Sequence, residues 1–193
     1  MLSMPTTSYD LQVDETPFLL AFRKKIRPLL SCLDSYPALM TALSLYSADN
    51  GEYLDAVGSI TALEALLTKK KENEGLTYRL SLRTANLLGH DADSRKDIFR
   101  KIKNFYNLRS KIVHGVELDD KLRERLNELD SMREMVRRVL LSVMALYSAG
   151  TRPVDLPDLL DELAFDDENR KQVCASASKF LHLSAEDSPG APS

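Results

Sequence analysis

Three charged residues fall where a helical chain should place apolar ones, and their types point to recognition of an anion. Winding the stretch that begins near Asp93 at about 100° per residue, with Ile98 at 0°, places Ile102 at about 40°, Phe105 at about 340°, Ile112 at about 320° and Val113 at about 60°. Arg109 falls at about 20°, in the middle of that apolar arc. By the same construction Arg83 lies on the arc of Leu76, Leu80 and Leu87, and Glu64 lies between the directions of Val57 and Ile60. A charge removed from water without a partner is expensive, so the three should pair or line a cleft. One carboxylate cannot neutralise two guanidinium groups. Pairing of Glu64 with Arg83 or Arg109 would leave one positive charge facing a cleft suited to phosphate, and the alternative is a purely structural Glu-Arg-Arg network.

His114 adds a group that can carry a proton near neutral pH. Five residues of regular helix separate it from Arg109 by about 140°, so the two should not share a face. Gly115 offers a way around this, because a helix that stops there puts His114 in the cap region, from which its ring can swing toward the cleft. A helix C-terminus also favours the imidazolium form. A histidine beside a capping glycine is nevertheless more often a helix-end residue than a catalyst, and this spacing does not by itself make it one. His90, in a loop after Gly89, and His182, near the C-terminus, have no comparable company.

The elements that must position these groups read as helices throughout. Seven Gly and eight Pro among 193 residues are too few for a loop-rich β protein, and 44% hydrophobic with 28% charged residues is enough to bury a core. Residues 1–13 are polar and expected to be disordered. Asp14-Glu15-Thr16-Pro17 then gives a helix start running to about Leu33. Pro37 opens a second helix ending near Asp49-Asn50-Gly51, and a third runs from about Glu52 to Lys70. A fourth spans about Leu76 to Leu88, and a fifth starts near Asp93 or Ser94; Gly89 and Gly115 read as their C-terminal caps. A sixth, long helix is expected after Asp119-Asp120 as far as about Ser148, with Leu122, Leu126, Leu129, Met132, Val136, Val139, Leu140 and Val143 as its apolar stripe. The expected organisation is therefore a helical domain over 14–150, an acidic helical appendage over 151–185, and a disordered tail over 186–193. Within the appendage, helices are expected at about Leu156 to Phe165 and Asp167 to Leu183.

Charge is segregated along the chain. From Lys69 to His114 there are 12 Lys/Arg against 5 Asp/Glu, or +7, whereas from Gly150 to Ser193 there are 4 against 9, or -5. A basic middle suits an anionic partner, and an acidic end could mask it; solvated helix faces would give the same count. Cys32 and Cys174 show no metal-ligand spacing, and there is no signal-peptide pattern, so free thiols and a cytoplasmic location are expected. No apolar run approaches the roughly 20 residues needed to span a bilayer. There is no Gly-rich phosphate loop and no Cys/His cluster, hence no cofactor or metal is expected.

The stretch Ile98 to Gly115, IFRKIKNFYNLRSKIVHG, resembles the signature helix of HEPN domains, in which Arg and a polar residue precede His by a few positions; here these are Arg109, Ser110 and His114. The upstream ITALEALL (Ile60 to Leu67) and RLSLRTANLLG (Arg79 to Gly89) are similar to preceding helices of the Apea-like branch, so the resemblance spans about Glu52 to Leu146. It implies an all-α antiparallel bundle that forms a homodimer, bringing two Arg/His pairs into one cleft. In many members it implies metal-independent cleavage of RNA, in toxins or antiphage defence, in some cases with an antitoxin or defence partner protein. In others it implies a non-catalytic RNA- or protein-binding dimerisation module. Val116 stands where one branch carries a tyrosine modified by its antitoxin, so that form of regulation is not expected.

The side chains suit that chemistry. Cleavage without a metal needs a base for the 2′-OH, an acid for the leaving oxygen and positive charge for the phosphorane. His114 from each of two protomers would supply the first two and Arg109 the third. Ser110, Asn107 or Tyr106 would position the phosphate, supported by Glu64 and Arg83. Arg100, Lys103 and Lys111, with Asn104, fall on the polar side of the same helix, where they would track an RNA backbone.

Overall fold

A computed structural model describes residues 16–30, 33–48, 51–72, 74–115, 124 and 126–180, and every regular element among them is helical. The α-helices are α1 (Thr16–Leu30), α2 (Pro37–Ser47), α3 (Glu52–Leu67), α4 (Leu76–Leu88), α5 (Ala92–Val113), α6 (Leu129–Ser148), α7 (Leu156–Glu162) and α8 (Asp167–Ala177). Short 3-10 turns precede α2 at Leu33–Ser35 and follow α8 at Ser178–Phe180. The expected disorder of the two ends, the helix start at Asp119-Asp120, and Asp14, Cys32, Leu122, Val116 and His182 lie outside the described residues.

Local chemistry sets the helix ends. Pro37 occupies the first turn of α2, where its missing N–H costs nothing. At the start of α5 the Asp91 carboxylate accepts from the Ser94 backbone N–H at 2.8 Å, and Ser94 Oγ accepts from the Asp91 N–H at 3.0 Å. This reciprocal cap starts the helix at Ala92, one or two residues earlier than the sequence suggests. Gly115 has φ 63°, a left-handed conformation that ends α5. Gly89 is different: its backbone is extended, and glycine is needed for space, because a Cβ there would lie 2.4 Å from Arg95 Cγ and 2.8 Å from the Ala85 carbonyl oxygen. The long sixth helix is interrupted, since Asn127 and Glu128 form a turn before α6 begins at Leu129. Asn competes for backbone hydrogen bonds outside helical geometry, and its short side chain makes it a natural breaking point.

Packing centres on α6, which touches α1, α2, α3, α4 and α8 and buries Met132, Val136, Val139, Leu140 and Val143. α4 packs along α5, to which Gly89–Asp91 joins it, and α2 packs along α3. The acidic C-terminal stretch is bound into the same core: Leu156, Leu160, Leu163, Ala177 and Phe180 are all buried within it. Full burial of a leucine stabilises by about 1.5–3 kcal/mol, so three leucines here outweigh what a loosely laid mask would contribute. None of the helices described is long and apolar enough to cross a membrane.

Candidate functional site

The two arginines singled out from the helical arcs have opposite circumstances. Arg83, on α4, is fully buried, and all five of its N–H groups are used. Its Nε donates to Asp161 Oδ1 at 2.8 Å and Nη2 to Asp161 Oδ2 at 2.7 Å. Nη1 donates to the Leu67 carbonyl at 2.7 Å and to Glu72 Oε2 at 2.6 Å, and Nη2 also donates to Glu72 Oε1 at 2.9 Å. Burial opposes the charge on Arg83, but the two carboxylates outweigh it and hold the guanidinium more firmly protonated than usual. The hydrogen bonds from Arg83 push Glu72 down to about 2, against the opposing effect of its own burial. Of the two pairings expected for Glu64, with Arg83 or with Arg109, the one with Arg83 is not made and the one with Arg109 is. Arg83 instead ties α4 to the end of α3, to the α3–α4 loop and to α7, and has no donor left for a ligand.

Arg109, on α5, sits at the edge of the core. Ile98, Ile102 and Phe105 are buried as the arc requires, but Leu108 is buried too, while Val113 is 52% exposed. The buried face therefore leans toward Leu108, leaving Arg109 with 26% of its side chain exposed. Its Nη2 lies 3.6 Å from Glu64 Oε2, an ion pair longer than a hydrogen bond. Its Nε is buried and has no hydrogen-bond partner among the described residues. Cζ stands 6.0 Å from the centroid of the Tyr106 ring. Burial, followed by the charge of Glu64, raises the pKa of Tyr106 above the ordinary value. Glu64, Tyr106 and Arg109 thus form one cluster between α3 and α5, in which the arginine's donors are largely unspent.

His114 is the C-cap of α5 and is exposed. Its backbone N–H still donates to the Ser110 carbonyl at 3.1 Å, which keeps the residue on the helical path, while its φ of -85° and ψ of 4° leave helical geometry as expected at the cap. The helical offset from Arg109 is thereby kept: within one chain, no hydrogen bond or ion pair among the described residues joins His114 to Arg109. Ser110 and Lys111 are half-buried, and Asn104, Asn107, Arg100 and Lys103 are exposed on the outward face of α5. Arg100, Lys103 and Lys111 have no ion-pair partner among the described residues.

Sequence reasoning missed Glu72 and Asp161, which hold Arg83, and also Arg170. The latter is buried on α8, donates to the Gly89 carbonyl at 2.8 Å and the His90 carbonyl at 3.3 Å, and pairs with Asp167 at 2.7 Å. A usable signal existed for Arg170: with Asp167 three residues before it, it carries its own counter-charge into the core. Asp158 meets Lys69, and Asp167 lies 3.8 Å from Arg95, so the acidic stretch touches the basic middle at two solvent-exposed points. Cys174 is a free, half-buried thiol whose pKa burial raises. Comparison of the chain with models of protein families, with curated proteins and with solved structures found no match.

Proposed function

We propose that this chain is a metal-independent endoribonuclease of the HEPN type that acts as a homodimer, in the cytoplasm, as a toxin or antiphage effector. The observation that carries this reading is the contrast between the two arginines. Arg83 has every donor filled, whereas Arg109 has one long ion pair, an unfilled Nε and a partly open side chain, the condition of a group kept for an anionic ligand. The spacing of Arg109, Ser110 and His114 adds the resemblance to the HEPN signature.

The 2′-oxygen of a ribose attacks the adjacent phosphorus while one His114 takes its proton. The P–O5′ bond breaks as a second His114, protonated, gives a proton to the departing 5′-oxygen. The products are a 2′,3′-cyclic phosphate and a 5′-hydroxyl. A single His114 cannot be base and acid in one concerted step, and within one chain it stands apart from Arg109, so the reaction calls for two protomers. Arg109 binds the phosphorane, its charge steadied by Glu64.

Purified protein incubated with RNA in chelator should cut it. His114→Ala should lose about 10²–10⁴-fold in rate, the usual contribution of a general acid or base, and Arg109→Ala should lose activity while remaining folded. Equal cutting by all three proteins would overturn the mechanism. The Glu64–Tyr106–Arg109 cluster between α3 and α5 favours one second reading, a non-catalytic RNA- or protein-binding dimerisation module in which Arg109 is structural. Loss of folding rather than of activity in Arg109→Ala would decide for it.

A further inference from the structure

Outside the Arg109 cluster, a groove runs between α4 and α5. One part encloses about 540 Å³ and an adjoining part about 420 Å³, and the two share Tyr78, Phe99 and Lys103. Along α5 its wall alternates Arg95, Phe99, Lys103 and Tyr106 at spacings of four, four and three residues, which puts them in one stripe. That stripe covers about 16 Å at 1.5 Å per residue. Tyr78, on α4, is 59% exposed and meets Phe99 edge-on at 5.5 Å and 71°, an arrangement that leaves ring face open to solvent. Arg100 lines the same groove without an ion-pair partner among the described residues, and Arg95 has a 3.8 Å contact with the exposed Asp167, too weak to hold it.

We propose that this groove binds an unpaired nucleic-acid strand, with bases stacked on Tyr78 and Phe99 and phosphates on Arg95, Arg100 and Lys103. Alternation of flat apolar rings with cations matches the alternation of base and phosphate along a single strand. A duplex keeps its bases stacked on one another and offers such rings nothing. The choice of RNA over single-stranded DNA rests on the ribonuclease reading; the groove itself does not. Its far end is Tyr106, whose ring centroid lies 6.0 Å from Arg109 Cζ, so a strand lying in it is delivered to Arg109.

The test uses the full chain carrying His114→Ala, so that the probe is not consumed, and the anisotropy of a fluorescein-labelled uridine oligomer of about twelve nucleotides, within the span of known single-strand sites. The single strand should bind at least about tenfold more tightly than the same oligomer annealed to its complement. Tyr78→Ala should weaken binding about tenfold, and Tyr78→Phe should restore it. Arg100→Glu with Lys103→Glu should lower the slope of log affinity against log salt by about 1.4, at about 0.7 per phosphate contact. Equal affinity for single strand and duplex, an unchanged Tyr78→Ala, or displacement of the probe by a polyglutamate peptide at equal charge would overturn the proposal. A chain that binds as expected, while the His114-bearing protein fails to cut, would uphold the groove and remove the catalysis. Cutting with an unchanged KM in Tyr78→Ala would do the reverse.

Discussion

Glu72→Gln is the sharpest probe of the buried network, because it removes a charge while keeping shape. In the folded chain Glu72 titrates at about 2 against an ordinary 4.5, a gap worth about 3 kcal/mol at about 1.4 kcal/mol per pH unit. The Glu72 side chain is 6% exposed, so solvent screens it little. Breaking a buried pair costs about 3–5 kcal/mol, and the lower end applies here because Arg83 keeps Asp161. Because the folded-state pKa is depressed, the stabilisation is fully present above about pH 4.5 and is lost as pH falls through about 2. Urea unfolding followed by circular dichroism should therefore show a gap between wild type and Glu72→Gln of about 3 kcal/mol at pH 7, shrinking to about 1.4 kcal/mol at pH 3. In a thermal melt at pH 7 the variant should fall by about 6–12 °C, given about 2–4 °C per kcal/mol for a chain of this size. A gap that stays constant between pH 7 and 3, or a melt within about a degree of wild type, would refute the assignment of Glu72 as partner of a buried guanidinium.

Removing residues 151–193 should expose Arg83 and strip Leu156, Leu160 and Leu163 from the core; size-exclusion chromatography and circular dichroism should show an aggregated or unfolded product rather than a protein with tighter RNA binding. Tyr147→Phe should raise stability by about 1 kcal/mol in urea, because the hydroxyl is buried with no hydrogen-bond partner among the described residues, while the ring still stacks on Tyr36 at 5.1 Å. Loss of stability in that variant would mean that the hydroxyl has a partner after all.

Periodicity made the helices legible because each has an apolar face of its own. The bounds of α4 follow from Leu76, Leu80 and Leu87 and from the glycine that ends it, and the same arc marked Arg83 as buried. What holds Arg83 was not legible: Glu72 stands in a loop, and Asp161 comes 78 residues later, so no local pattern links either to it. Arg109 appeared more central than it is because the winding gave equal weight to Val113, which is exposed, and left out Leu108, which is buried. The aromatic groove escaped notice because Tyr78 and Phe99 lie off the apolar arcs of their helices and meet only when α4 is laid against α5. An aromatic residue outside the arc is a signal that a sequence reading can use.

The long reach of the Arg83 contact also constrains how the protein is made. A chain emerging from the ribosome displays α4 well before Asp161 exists, and until then the guanidinium that belongs at the centre of the molecule lacks one of its two carboxylates. Arg170, which grips the α4–α5 corner, arrives later still. The earlier helices therefore lack part of their core until the segment carrying Leu156, Leu160 and Arg170 has been made. Closure of the core depends on α7 and α8.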